Sequence, residues 1–385
     1  MSNTAFPVKA FESLQTPFYY YDVALLRQTL STLKEEAGKR GVRAHYAVKA
    51  NANPRILSIV REYGFGADCV SGGEIKAALA AGFPADSIVY AGVGKADWEI
   101  ETALDAGIFS FNTESQAELE IIDELAGKKG LTARVALRIN PNVHADTHHY
   151  IVTGVQENKF GINLSEMDKV FDEALTLRHV RLVGLHFHIG SQILEMNNFS
   201  ELADRINEIQ DHLEARGIRI ENINLGGGLG IDYSDPDGHP VAGFARYFDA
   251  WLPKLRLRPG QTLHMEPGRS IIGQCGSLIS RVLYVKQGTE KKFVILDAGM
   301  TELIRPALYQ AHHQIDNLSS DRPEETYDVV GPICESSDCF GTDERLPETR
   351  RGDFVALRSA GAYGESMSSH YNLRPTPPAV FSDML

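Results

Sequence analysis

The sequence predicts an α/β fold: a TIM (β/α)8 barrel with a second, mostly-β C-terminal domain that also takes an N-terminal strand. Three observations predict it: eight short β-branched or aromatic runs, amphipathic stretches between most of them, and a change of pattern after about Ser270. Alternating strand and helix patterns indicate parallel strands with helices packed outside them, and eight such units close a TIM barrel.

The eight predicted barrel strands follow one another through the first 270 residues. They are RAHYAVKA from Arg43, GADCVS from Gly66, SIVYAG from Ser87, FSFNT from Phe109, RVALRIN from Arg134, RLVGLHFHIGS from Arg181, IENINLGGG from Ile220 and LHMEPGRS from Leu263. Stretches such as GGEIKAALAAG and ESQAELEIIDELAGKKG have the apolar spacing of helices. The polar loop NPNVHADTHHYIVTG follows the fifth strand. Loops of this length in a compact domain usually have a function, so we predict one for this loop.

A different pattern predicts the second domain. SLISRVLYVKQGT, KKFVILDAGM, TYDVVGPIC and GDFVALRSAGAYG read as strands without helices between them. The early segment FYYYD, from Phe18, is also strand-like and precedes the first barrel helix, so we assign it to the same domain. The predicted bounds are 23–270 for the barrel, and 1–22 with 271–385 for the β domain.

Composition and charge restrict the classes of molecule that the protein is expected to bind. A chain of 385 residues with 43% hydrophobic content can bury a large core. Its formal net charge of -13, without a Lys/Arg block, argues against nucleic-acid and anionic-membrane partners and favours a small-molecule substrate. The N-terminal stretch lacks the apolar core of a signal peptide, and no segment reaches the roughly 18 apolar residues of a membrane span. We therefore expect a cytoplasmic protein.

The four cysteines are Cys69, Cys275, Cys334 and Cys339. They are too few and too scattered for a disulfide framework, and they lack the paired CxxC spacing of a zinc site. We expect free thiols and no metal site.

Chemically useful residues stand where several predicted strands end. Lys49 ends the first strand, Asp68 the second, His188 to Ser191 the sixth, Gly226 to Gly228 the seventh, and Glu266 to Arg269 the eighth. In TIM barrels the carboxyl ends of the strands form the active site. These side chains should therefore converge on one mouth of the barrel.

Together these groups suit pyridoxal 5'-phosphate. A glycine-rich turn can offer backbone N–H groups to a phosphate, and a buried lysine with a lowered pKa is a good nucleophile toward an aldehyde. A carboxylate can keep a pyridine nitrogen protonated, and a flat imidazole can stack on the ring. Lys49 is thus predicted to form a Schiff base with the cofactor.

An ordered set of motifs carries a family resemblance. The motifs are YAVKAN, GADCVSGGE, KFGI, GLHFHIGSQ, NLGGGLGI, EPGRSI, GPICESSDCF and AGAYGESMSSHYNLRP. From about Phe18 to Pro375 the chain resembles the fold-type III pyridoxal-phosphate decarboxylases, and among them the branch that acts on diaminopimelate. The resemblance implies a homodimer with shared active sites.

The resemblance also implies a role for each matching residue. Lys49, Cys334 and His188 would be catalytic, with Cys334 as the proton donor. The implied cofactor contacts are Lys49, Asp68, His188, Ser191, Gly226, Gly227, Gly228, Glu266, Pro267, Gly268, Arg269 and Tyr363. The implied substrate contacts are Arg269, Arg305, Tyr309, Glu335 and Tyr363, and the partner subunit would supply Cys334 and Glu335.

The far end of the substrate distinguishes members of this family. Diaminopimelate carries a distal carboxylate as well as a distal amino group, so it needs a cation and an acid, which Arg269, Arg305 and Glu335 provide. The implied reaction converts meso-2,6-diaminopimelate to L-lysine and CO2, the last step of lysine biosynthesis. Two alternatives stay open: decarboxylation of carboxynorspermidine or another basic amino acid, and a non-catalytic pyridoxal-phosphate carrier or regulator.

Overall fold

The protein is described by a computed structural model that covers residues 6–143 and 159–385. These residues form two compact units. The β unit comprises the described part of Met1–Thr29, Ile231–Ala242 and Arg269–Leu385, and the barrel unit comprises the described part of Leu30–Gly230 and Gly243–Gly268. Ile231–Ala242 joins the β unit because the Gln314 N–H donates to the Tyr233 carbonyl (3.3 Å) and Arg358 pairs with Asp237 (2.7 Å).

The barrel unit confirms the predicted TIM barrel. Within the described residues, eight strands pair in parallel in chain order, and the last pairs with the first to close the barrel. The strands are β2 (Val42–Ala47), β3 (Gly66–Cys69), β4 (Ile88–Tyr90), β5 (Ser110–Thr113), β6 (Ala133–Arg138), β7 (Val180–His186), β8 (Asn222–Asn224) and β9 (Thr262–Met265). Most of their residues are buried, as expected for strands covered on both faces.

Helices follow most barrel strands, and polar caps fix where several of them begin. The helices from residue 23 to the last barrel strand are α2 (Val23–Lys39), α3 (Pro54–Glu62), α4 (Gly72–Ala80), α5 (Asp97–Ala106), α6 (Gln116–Lys129), α7 (Leu164–Thr176), α8 (Asn197–Ala215) and α9 (Phe244–Trp251), and the short α1 (Val8–Phe11) precedes them. The Ser71 and Ser115 side chains accept hydrogen bonds from the N–H groups of Glu74 and Glu118, which satisfies a free helical donor in each case. These caps lie just past strand ends, so each helix turns back close to the barrel mouth.

The β unit is built on one mixed sheet. Its described strands run in the order β12 (Ile315–Asn317), β15 (Phe354–Leu357), β10 (Gly276–Gln287), β11 (Lys292–Leu296), β13 (Glu324–Val330) and β14 (Cys339–Pro347). Strand β1 (Phe18–Tyr21) pairs with β10 and with β16 (Ala379–Phe381). The prediction that the FYYYD segment belongs to the β domain is therefore confirmed. Two short helices, α10 (Arg269–Ile272) and α11 (Arg305–Tyr309), complete this unit.

Some sequence predictions differ from the structure or fall beyond it. Lys49 does not end a strand: β2 stops at Ala47, and Val48–Ala50 form a 3-10 turn. Residues 144–154 of the predicted functional loop lie outside the described residues. No helix in the described parts of the chain has both the length and the apolar character needed to cross a membrane.

Candidate active site

Lys49 lies at the carboxyl end of β2, beside a buried carboxyl group. Its Nζ atom is 3.1 Å from Asp68 Oδ2 at the end of β3. The Lys49 side chain is 38% exposed whereas that of Asp68 is fully buried, so the expected burial of the lysine is not met. The 3-10 turn explains this, because it carries Lys49 beyond the strand toward the rim.

Glu266 follows β9 and accepts hydrogen bonds in the barrel interior from three neighbouring side chains. Oε1 accepts from the amides of Asn112 (3.1 Å) and Asn224 (2.7 Å), and Oε2 accepts from His186 Nε2 (2.9 Å). A carboxylate has about four lone-pair positions, so one position remains for a further donor.

The two buried carboxyl groups differ in ionisation. Burial first, and then the negative charge of Glu266, raises the pKa of Asp68 to about 7 against the opposing effect of Lys49. Burial alone would also raise the pKa of Glu266, but His186 and Lys49 outweigh it and hold that pKa below its ordinary value. His186 and Lys49 thus keep Glu266 ionised, while Asp68 has one oxygen, Oδ1, that no described residue contacts by a hydrogen bond.

His188 lies just beyond β7, above the glycine turn. The Gly227 N–H donates to His188 Nδ1 at 3.3 Å. Burial, and after it the Arg138 and Lys49 charges, lowers the pKa of His188 well below its usual value. The ring is therefore neutral, and it brings no positive charge to the barrel mouth.

The glycine turn is shaped by close backbone contacts. A Cβ atom on Gly226 would come within 2.2 Å of the Phe187 carbonyl oxygen, and one on Gly227 within 2.2 Å of the Glu266 carbonyl oxygen. Gly228 has a φ of 110°, which other residues rarely adopt, and its N–H donates to no group within the described residues. Only glycines fit here, and the turn offers the Gly228 N–H, which has no acceptor among the described residues, to a ligand.

The end of β9 also packs against the turn that carries Lys49. The Ala47 N–H donates to the Pro267 carbonyl (3.0 Å), and a Cβ atom on Gly268 would meet those of Ala47 and Ala50 at 3.0 and 3.1 Å. The barrel unit thus brings together Lys49, Asp68, His188 and Glu266 with their supporting glycines. Ser191 lies partly buried in the loop after β7, between His188 and the Ile193–Leu229 bridge.

The β unit holds a second cluster, formed by predicted residues together with Tyr233. The Arg269 guanidinium donates to the Tyr233 hydroxyl and lies 4.8 Å from the centroid of the Tyr363 ring. The Arg305 guanidinium lies 4.5 Å from the centroid of the Tyr233 ring, and Tyr309 is at the other end of the same short helix. Both arginines are buried. We call these residues the arginine cluster.

Cys334 and Glu335 also belong to the β unit. Both are exposed, on the loop between β13 and β14. The Cys334 N–H donates to Asn372 Oδ1 (2.9 Å), and the buried Asp338 carboxylate accepts from the Ile333 N–H (2.6 Å). Cys69 and Cys275 are buried, and all four cysteines are free thiols as expected.

Sequence reasoning missed several polar residues around these groups, notably Asn112, His186, Asn224, Tyr233 and His313. A period of two did place His186 on the same strand face as His188 in LHFHIG, and this signal could have found it. The other four are recognised only by contacts between distant parts of the chain.

Comparisons with known proteins show which family the chain resembles. The family model described as "Pyridoxal-dependent decarboxylase, pyridoxal binding domain" matches residues 23–273. The chain is 61% identical over 381 residues to a diaminopimelate decarboxylase of Bacteroides thetaiotaomicron, covering 99% of each chain. It is 41% identical to one from Aquifex aeolicus, over 96% of this chain and 87% of the relative. The crystal structure of diaminopimelate decarboxylase from Helicobacter pylori complexed with L-lysine matches with a TM-score of 0.92 and 42% identity, over 97% of this chain and 93% of that one.

Proposed function

Since this chain belongs to the family of pyridoxal-dependent decarboxylases, we propose that it is the enzyme that converts meso-2,6-diaminopimelate to L-lysine and CO2, the last step of lysine biosynthesis. One structural observation carries the choice of substrate. Arg305 is 5% exposed, and no carboxylate among the described residues pairs with it. A buried cation without a counter-charge is costly, and the distal carboxylate of diaminopimelate supplies one. Ornithine offers only a distal ammonium there.

The barrel residues fit pyridoxal phosphate as cofactor. Glu266 is ionised and keeps one lone-pair position for a pyridine N–H, the glycine turn offers the N–H of Gly228, and His188 presents a neutral ring. When bound, pyridoxal phosphate supplies an aldehyde that takes up amino groups and a conjugated ring that accepts the electron pair left behind by CO2.

The protein's own residues have distinct tasks in this proposal. Lys49 provides the amine that holds the cofactor, and its neighbour Asp68 exchanges a proton near neutral pH. Arg269, Arg305, Tyr309 and Tyr363 bind and orient the substrate carboxylate. Cys334 donates a proton from its thiol to the carbon that has lost CO2, leaving a thiolate that takes up a proton from solvent.

We also propose that the enzyme works as a homodimer with shared sites. The exposure of Cys334 and Glu335 on their loop supports this, because both are accessible to a second copy of the chain. Glu335 would then accept a hydrogen bond from the distal ammonium of substrate bound by the partner.

Substrate choice is tested by measuring CO2 release from the purified protein with pyridoxal phosphate. The substrates compared are meso-diaminopimelate, carboxynorspermidine, ornithine, arginine and lysine. We expect strong preference for meso-diaminopimelate. Preference for carboxynorspermidine or ornithine would contradict the role given to Arg305, and no release from any of the five would contradict decarboxylation itself.

A further inference from the structure

We propose that His313 is a positioning residue for substrate recognition: it fixes the Arg305 guanidinium through a neutral acceptor and leaves the positive charge available to the substrate. This inference rests on the proposed function, and it concerns how the distal carboxylate is recognised.

His313 makes two short hydrogen bonds, one on each side of its ring. Its Nε2 atom is 2.6 Å from Arg305 Nη1, and its Nδ1 atom is 2.7 Å from the carbonyl oxygen of Arg358. The residue is 1% exposed, and its ring packs edge-on against Tyr233 with centroids 4.9 Å apart. Tyr233 in turn contacts the Arg305 guanidinium, so the imidazole and the guanidinium both pack against the Tyr233 ring.

The chemistry of the two partners fixes the protonation of His313. An arginine guanidinium only donates hydrogen bonds, so Nε2 must be unprotonated and accept. A backbone carbonyl only accepts, so Nδ1 must carry the proton and donate. A doubly protonated ring would place an N–H against the N–H of Arg305 and lose that bond. Both bonds therefore form with one tautomer of the neutral ring.

The electrostatic surroundings favour the same state. Burial, and after it the positive charge of Arg305, lowers the pKa of His313 well below its usual value, with smaller contributions from Arg269 and His312. The hydrogen bond to the Arg358 carbonyl opposes this lowering of the pKa, but that carbonyl carries no negative charge, and burial and the Arg305 charge outweigh it.

A second arginine in the β unit shows what a different partner does. Arg358 is 5% exposed, and it pairs with Asp237 and Asp316 at 2.7 Å each. Two carboxylates compensate the charge of Arg358, so this arginine stabilises the fold and attracts a further anion only weakly. Arg305 is equally buried but is held by an imidazole. The chain thus orders this guanidinium while leaving its charge for a ligand.

Two substitutions separate the contact with Arg305 from the contact with Arg358. A glutamine side chain reaches the Nε2 position, so His313→Gln keeps an acceptor for Arg305. An asparagine reaches only the Nδ1 position, so His313→Asn keeps a donor for Arg358 and loses Arg305. A third variant, His313→Glu, keeps the acceptor but adds a negative charge. His312→Asn is the matched control, because this neighbouring histidine is exposed.

The measurement is the steady-state kinetics of the holoenzyme variants with meso-diaminopimelate, together with inhibition by L-lysine, which retains the distal carboxylate. For His313→Asn we expect KM and the lysine inhibition constant to rise roughly ten- to hundredfold with little change in kcat, because an acceptor of a charged hydrogen bond is lost. His313→Gln should stay near wild type. His313→Glu should resemble His313→Asn, since its carboxylate competes with the substrate for Arg305.

Each contrary result has a separate meaning. Equal losses in the Gln and Asn variants, or an unchanged KM in the Asn variant, would overturn the role of His313. A wild-type KM for His313→Glu would overturn the argument that a neutral acceptor leaves the charge of Arg305 available to the substrate. This comparison of His313→Glu with His313→Gln remains possible even where His313→Asn fails to fold. A wild-type protein that releases no CO2 from diaminopimelate would instead overturn the proposed function.

Discussion

Asp68 and Glu266 are both buried in the barrel unit, yet their surroundings give them opposite protonation. Glu266 accepts three side-chain hydrogen bonds, whereas Asp68 is contacted by Lys49 and has one oxygen without a hydrogen bond among the described residues. Hydrogen-bond donors stabilise a carboxylate and desolvation destabilises it. The site therefore holds one permanent negative charge and one carboxyl that titrates near neutrality.

The titration of Asp68 gives a prediction about stability and pH. In the unfolded chain its pKa is near 3.8, and in the folded protein it is about 7. Between these values the folded state keeps a proton that the unfolded state has released, so Asp68 makes the fold less stable as pH rises through this window. Relative to wild type, Asp68→Asn should gain free energy of unfolding from pH 5 to pH 8, by up to about 3 kcal/mol.

Urea unfolding of the cofactor-free proteins at pH 5, 6, 7 and 8 checks this. The quantity to compare is the difference between variant and wild type at each pH, because other groups titrate equally in both. A difference that stays constant across the range would show that Asp68 is ionised throughout.

At the residue scale, the sequence predicted the candidate side chains at strand ends better than the residues that form hydrogen bonds with them. Lys49, Asp68 and Glu266 stand at positions that a barrel turns toward one mouth, so the chain order sufficed to find them. Asn112 contacts Glu266 across 154 residues of chain, and His313 contacts Arg358 across 45. Such pairings depend on how the strands are arranged in space, which the pattern of apolar residues does not encode.

Among the structural elements, the glycine turn after β8 gives the next prediction. Gly227→Ala would place a methyl group about 2.2 Å from the Glu266 carbonyl oxygen, and backbone cannot move aside as a flexible side chain can. We expect a loss of about 1–3 kcal/mol in stability and weaker retention of pyridoxal phosphate. Gly38→Ala is the control, because Gly38 lies in α2 with open space around its Cα.

Thermal unfolding and the cofactor absorbance after dialysis measure both effects. Gly38→Ala should be neutral or slightly stabilising, since alanine is the better helix former. Equal stability and equal cofactor retention in the two variants would mean that the turn tolerates a side chain and that close backbone contacts do not require glycine there.

The elements that were predicted and missed differ in length and burial. The eight barrel strands were found because they are mostly buried and alternate with helices. Strands β12 and β16 have three residues each, too few to show a period. Strand β14 lies at the edge of its sheet with three exposed polar residues, Thr342, Asp343 and Arg345, so it resembles a loop in sequence.

On the scale of the whole molecule, shared sites predict complementation between inactive chains. Lys49→Ala and Glu335→Gln should each abolish most activity alone. Equal mixing with free subunit exchange should restore about a quarter of wild-type activity, because half of the dimers are hybrids and each hybrid has one intact site. Lys49→Ala mixed with Glu266→Gln is the control, since both changes damage the barrel and no intact site can arise.

The activity of the mixtures tests whether the active sites are shared between subunits. Mass spectrometry of tagged chains monitors the formation of hybrid dimers. Confirmed hybrids without recovered activity would mean that each chain forms its site from its own residues.

The pairing of β1 with β10 and β16 has a consequence for the order of synthesis. Residues 18–21 leave the ribosome early, but their partners are residues 276–279 and 379–381. At 5–20 residues per second, the first of these strands waits on the order of tens of seconds for its last neighbour. Leu30–Gly268 contains every strand of the barrel and is translated in that interval. Lys49, the lysine proposed to hold the cofactor, thus lies in a part of the chain that is synthesised before the last strands of the β unit, whereas the β unit must wait for the final codons.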